Sequence, residues 1–428
     1  MPDKYRHMEE AWGIEANPFP SEAIHQGPEP YNPDVFPDEY DQFFDKLVYG
    51  ALMDRRGFSF LWSKGANGED TGFGKTSLLK HAAREVNQDF AETVLRNAGM
   101  KEQKIKANLA VAAYASLNTL SAAGVYPILF AAAEYLADPK KGFSGRSVLD
   151  HLRERIIENN ALESDDHKGL KTAIQTARRS LGATLVALRE DALDAFVLGE
   201  DAGFAEFLSG VSDASRIRSG LSYFDFVFTI ASAAGVPHFC VFVDQLEDLA
   251  TTPTVTKAKR SREVGRLRDI IAETAPFAGK VRFVFTFHVR AANALDEMWR
   301  LNRLPSYDPE DRANAGNLVV LRGIQDVEQA RKLLTTYLDS KRAEGEKDDL
   351  TPFDENTLPV LIERSSGRPG ILLQHAYKLF DRAADEGLPK IDRQFANLIL
   401  GSGRVGAGQD SSRIPDPIDA REIDELLR

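Results

Sequence analysis

The feature that most constrains this chain is a thirty-residue stretch, Phe58 to Asn87, in which FSFLW is followed by a glycine-rich turn and then by KTSLLKHAAREVN. FSFLW is apolar at every position but Ser59 and reads as a buried strand, whereas the segment after the turn has helical periodicity. Strand, glycine turn and helix form the opening unit of an α/β nucleotide-binding domain. The turn itself, GEDTGFGKTS at 68–77, suits a phosphate chain. Several backbone N–H groups must point inward, which demands conformations that residues other than glycine resist. Gly68, Gly72 and Gly74 meet that demand, with Phe73 and Ser77 completing the loop. Lys75 can reach the β and γ phosphates, Thr76 can place its hydroxyl on Mg²⁺, and the helix N-terminus favours negative charge. The pattern departs from GxxxxGK[ST] at its first position, where Glu69 stands and Gly68 falls one residue early.

A second signal is FCVFVDQLED, 239–248. An apolar strand ending in a carboxylate positions an acid beside a Mg²⁺ held by Thr76, and Asp244 is that acid. Glu247 or Asp248, just beyond the strand, can orient or activate an attacking water. Gln245 occupies the place where many such enzymes put a glutamate. In VRFVFTFHVR, either Thr286 or His288 can sense a γ-phosphate at the end of an adjacent strand, with Arg290 adding charge beyond. A core threonine and a surface histidine are the bland alternative. Arg300 and Arg303 in WRLNRLP stand where an arginine can cross a subunit boundary to a neighbour's nucleotide, or simply be solvated. KAKRSREVGRLR, 257–268, places six Lys or Arg in twelve residues. Such a run can follow a phosphate backbone, contact a partner or supply arginines in trans, and it lacks the interleaved aromatics of a single-strand binder.

The 428 residues, 43% of them hydrophobic, suffice for two or three domains with real cores. The boundaries expected are an N-terminal arm and docking helix at 1–50, an α/β domain at 51–323 carrying a helical insertion at about 139–220, a helical lid domain at 324–400, and a loose tail at 401–428. Further strands are expected within 105–117, at 238–244, at 281–288 and at 317–323. One cysteine, Cys240, precludes an internal disulfide and fits a reducing compartment. No window approaches the run of about twenty apolar residues needed to span a bilayer. The expectation is therefore a soluble cytoplasmic chain without a membrane partner. A net charge of −12 argues against non-specific coating of nucleic acid, while leaving room for a local basic face.

Taken together, these motifs resemble those of P-loop ATPases of the AAA+ superfamily, near the origin-recognition-like and STAND-like groups. GFGKTS looks like Walker A, FCVFVDQLED like Walker B in a form similar to DQFEE, VRFVFTF like the sensor 1 strand, and the helices up to Leu400 like a lid. WGIEANPF, 12–19, is similar to the segment that precedes the P-loop in transposition and secretion ATPases of this group. The resemblance implies an α/β P-loop core with a helical insertion and a helical C-terminal lid. ATP and Mg²⁺ are the implied cofactors, and the catalytic acid role falls to Glu247. SSGRPG, 365–370, resembles the sensor 2 region, with Gly370 where related versions carry arginine and Arg368 the available substitute. The implied activity is ATP hydrolysis that drives assembly or conformational change, as a homo-oligomer or an effector-protein complex, with DNA a possible target. The rival is a weakly hydrolysing switch acting through protein partners alone.

Overall fold

The computed structural model describes residues 4–22, 30–50, 52, 57–64, 71–117, 120, 124–182, 190–198, 203–246, 249, 256–273, 277–286, 289–307, 316–342 and 349–401. Five strands, β1 (Phe58–Ser63), β2 (Ala110–Ser116), β3 (His238–Asp244), β4 (Val281–Thr286) and β5 (Leu318–Leu321), form one sheet in the order β2-β3-β4-β1-β5. All four pairings are parallel. Parallel strands are covered on both faces by their crossover helices, so they are apolar without alternation. β1 and β4 are buried at every position, and β3 at every position after His238. The strands match the sequence expectation, with β4 ending at Thr286 and Phe287 and His288 lying outside the described residues.

The helices, in chain order, are α1 (Lys4–Trp12), α2 (Pro37–Gln42), α3 (Lys75–Gln88), α4 (Glu92–Asn97), α5 (Glu102–Asn108), α6 (Val125–Ala137), α7 (Val148–Asn159), α8 (His167–Ser180), α9 (Glu190–Leu198), α10 (Gly203–Ser209), α11 (Asp213–Ala233), α12 (Lys257–Arg268), α13 (Val289–Leu301), α14 (Val327–Asp339), α15 (Leu358–Ser365), α16 (Pro369–Glu386) and α17 (Arg393–Gly401). The chain divides into an α/β unit, essentially Phe36–Leu321, and a helical unit that joins Met1–Val35 to the segment from Arg322 onward.

In the α/β unit, α3 follows β1 and packs on β2. The Asn87 amide donates to the Ala112 carbonyl (2.7 Å) and accepts from the Ala112 N–H (2.8 Å), which satisfies backbone groups of an edge strand. Helices α7 to α11 fill 148–233. The long α11 lies so close to α6 that a Cβ on Gly220 would sit 2.0 Å from the Tyr126 carbonyl oxygen, so only glycine fits. Between α8 and α11, the Arg178 guanidinium meets the Asp225 carboxylate at 2.5 Å with Thr229 at 3.4 Å, all buried. Burial pushes the Asp225 carboxyl up from the ordinary range while the Arg178 charge opposes it.

In the helical unit the N-terminal segment is seated by aromatic contacts. Trp12 packs edge-on to Phe380 (4.7 Å between centroids) and Phe19 lies against Tyr337, Phe353 and Phe380. Hydrogen bonds from Trp12 Nε1 to the Pro389 carbonyl (3.2 Å) and from Asn17 to the Tyr377 carbonyl (3.2 Å) fix its path. The expected 1–50 segment is thus shared: residues up to Val35 belong here, while α2 and the π-helical turn Phe43–Tyr49 belong to the α/β unit. The region 402–428, expected as a tail, lies outside the described residues.

Candidate functional site

In an open parallel sheet, ligands sit beyond the carboxyl ends of the strands, where the direction of winding changes. Here the chain leaves β1, crosses to the edge at β2, and returns through β3 and β4 to β1's side, while β5 lies on the other side of β1. The carboxyl ends of β1, β3 and β4 therefore bound one place.

The loop between β1 and α3 opens onto it. Gly72 has φ +80° and Gly74 φ +83°, left-handed values that strain any residue with a Cβ. A Cβ at Gly74 would meet nothing within 4 Å, so conformation rather than crowding demands glycine there. Gly74 is the N-cap of α3 and no side chain caps it. The aligned peptide dipoles of α3 make this end favourable for an anion. Phe73 is buried and anchors the loop. Lys75, 8% exposed, donates from Nζ to Ser63 Oγ (2.7 Å) at the end of β1. Gly68, the early glycine, lies outside the described residues.

Three hydroxyls converge on the carboxylate at the end of β3. Thr76 Oγ1 donates to Asp244 Oδ2 at 2.5 Å, Tyr114 Oη donates to the same oxygen at 3.1 Å, and Thr286 Oγ1 donates to Oδ1. Asp244 is 4% exposed, so these bonds replace hydration that the buried carboxylate has lost. Thr286 also accepts from the Gln245 N–H at 3.0 Å, which fixes the chain as it leaves the sheet with Gln245 at φ +59°. Ser116 lies in register with Asp244 and its hydroxyl donates to Gln245 Oε1 at 3.3 Å. The structure thus brings Lys75, Thr76, Asp244 and Thr286 to one edge. Ser77 stands on the first turn of α3.

The other expected residues fall elsewhere. Glu247, Asp248 and His288 lie outside the described residues. Arg303 is exposed, with φ +53°, just after α13, and Arg300 pairs with Asp296 at 2.7 Å. Arg368 is the N-cap of α16 in the helical unit and donates from Nε to the Ser365 carbonyl at 3.2 Å. Sequence reasoning missed Tyr114, Ser63 and Ser116. Their roles depend on which strands are neighbours and in what register, and the only available cue was a hydroxyl at a strand end.

The donor set fits a hard divalent cation. Thr76 Oγ1 and Asp244 Oδ2 present oxygen ligands at hydrogen-bond separation beside an uncapped helix N-terminus. Mg²⁺ takes one or two such protein oxygens and completes its shell with water and phosphate. No cluster of three or more His, Cys, Asp or Glu able to hold a metal occurs among the described residues, and a Mg²⁺ shared with phosphates needs none.

The five-stranded parallel sheet, the glycine loop after its first strand and the helical C-terminal region define an α/β fold whose first strand-to-helix turn is shaped for an anion. No protein-family model and no curated protein matches the sequence. Among solved structures, the chain aligns with the ORC2 protein of Aeropyrum pernix in its ADPNP–ADP complexes, at 10% identity and a TM-score of 0.43, over 89% of this chain and 70% of that one. An overlap at that score carries no inference about activity. No described helix is long and apolar enough to cross a membrane.

Proposed function

We propose that this chain is a Mg²⁺-dependent ATPase whose nucleotide state drives assembly or conformational change, acting on DNA or recruiting an effector protein. The observation that carries this reading is the convergence of Thr76 and Thr286 on Asp244 beside the positive-φ loop and Lys75. Lys75 exchanges its Ser63 bond for β and γ phosphate oxygens, while the loop amides and the α3 N-terminus hold the remaining charge. Thr76 and Asp244 would hold Mg²⁺, which would supply neutralisation of phosphate charge. Thr286, bonded to both Asp244 and the Gln245 amide, links the γ-phosphate end of the site to the segment leading to Glu247, the residue that orients water. Arg303 completes the set as an arginine offered in trans within a homo-oligomer.

A second reading, a switch that binds ATP with little turnover, is favoured by Gln245. It is a neutral amide whose Oε1 is tied to Ser116, and it supplies no base. The test is ATP binding and turnover with and without Mg²⁺, with molecular mass measured in parallel and Lys75→Ala as blank. Mg²⁺-dependent binding that Lys75→Ala abolishes supports the site, and binding indifferent to that change overturns it. Turnover lost in Glu247→Gln supports the enzyme, whereas negligible turnover in both supports the switch.

A further inference from the structure

The basic run at 257–268 has no part in the site above. As α12, its Lys259, Arg262 and Arg266 fall at i, i+3 and i+7, on one face. That face forms a cleft of about 250 Å³ with the N-terminal end of α6 and with Arg218 near the start of α11. Its one acid is turned inward. Glu263 is 2% exposed and its carboxylate accepts from the Val125 N–H (2.9 Å) and from Arg266 (2.6 Å). Arg266 is directed the same way, with its guanidinium over the Tyr126 ring at 4.4 Å. What the cleft presents outward is therefore mainly cationic: Lys259, Arg218, and Arg262, whose side chain is 62% exposed although its Nε lies 3.9 Å from Glu263 Oε1. This stands out in a chain of net charge −12.

We infer that the cleft between α6, α11 and α12 binds the phosphodiester backbone of double-stranded nucleic acid. Three observations select that ligand. Arg218 and Arg262 are exposed on the rim and no buried cation is aimed inward, which suits a polyanion passing over the cleft more than a small anion enclosed in it. The Tyr126 face is covered by Arg266, so the cleft offers no stacking platform for unpaired bases. Apolar surface is limited to residues such as Ile217, 40% exposed, too little for the apolar centre of a protein interface. The inference deepens the reading above by naming its partner. It rests on that reading only for the coupling of the partner to nucleotide.

The test is fluorescence anisotropy of a labelled random-sequence duplex in the absence of nucleotide, titrated between about 50 and 200 mM salt, with a single strand of equal length as the second probe. The variant combines Lys259→Gln, Arg262→Gln and Arg218→Gln. Losing three phosphate contacts lowers the log–log salt slope by about 2.7 and the affinity near 0.1 M salt on the order of 100-fold. ATP binding by the triple variant, unchanged, shows that its P-loop site is intact, and Lys75→Ala retains duplex binding even if it loses ATP. Wild-type slope and affinity in the triple variant, tighter binding of the single strand, or no duplex binding at the lowest salt would each overturn the inference.

Discussion

Two buried polar clusters in the α/β unit look alike in composition and differ in position. Arg178, Asp225 and Thr229 lie along the facing sides of α8 and α11. Their neighbours are helix interiors, so nothing from solvent can replace a partner. Thr76, Tyr114, Thr286 and Asp244 lie where strands end and a helix begins. There the backbone turns away from the sheet, and an entering oxygen can take over one of the bonds. A polar cluster at element ends can exchange partners, while one along element sides can only hold the elements together.

This contrast is broken most severely by Arg178→Met. It leaves Asp225 buried without its cation and is expected to cost about 3–5 kcal/mol, read as a fall in urea midpoint. ATP affinity should not change, and adding Asp225→Leu should recover most of the stability. Lys75→Ala is the mirror case. It should weaken ATP binding about 100-fold or more in a calorimetric titration while costing only about 1–2 kcal/mol of stability in urea, the loss of one hydrogen bond to the buried Ser63.

A third buried group tests whether position alone decides. His238 begins β3, at the opposite end from Asp244, and burial together with the Arg282 charge pushes its pKa from 6.5 down to about 4. Between those values the unfolded chain takes up a proton that the folded chain refuses. Stability present above pH 6.5 is therefore lost as pH falls towards 4, by roughly 2 kcal/mol at about pH 5. His238→Gln should flatten that part of the pH–stability curve without altering ATP affinity. The smallest effect is expected for Tyr114→Phe. One of the three hydroxyl bonds to Asp244 is removed, and the Mg²⁺ concentration that half-saturates ATP binding should rise about tenfold, with Mg²⁺-free ATP binding and melting temperature nearly unchanged.

The strands were legible because covered parallel strands need unbroken apolar runs, and HFCVFVD and VRFVFTF have them. Lys75, Thr76, Asp244 and Thr286 were legible as candidates because phosphate chemistry ties residue type to strand ends and helix starts. Tyr114 was not, since a single tyrosine in ANLAVAAYASL carries no pattern of its own. Its meaning comes from β2 lying beside β3, a fact of topology. The division at Val35 was hidden for the same reason: the N-terminal stretch reads as a docking arm, but which surface receives Trp12 and Phe19 is set by helices more than three hundred residues downstream.

That seating has a consequence for how the protein is made. Trp12 and Phe19 emerge from the ribosome long before Phe353 and Phe380 exist to receive them. At about 5–20 residues per second the first segment waits on the order of 20–70 s, its aromatic side chains without their native partners, while the entire α/β unit is synthesised and can fold. The helical unit can close only after its helices beyond Arg322 have been synthesised, so its completion reports that the α/β unit lying between its two parts has been delivered.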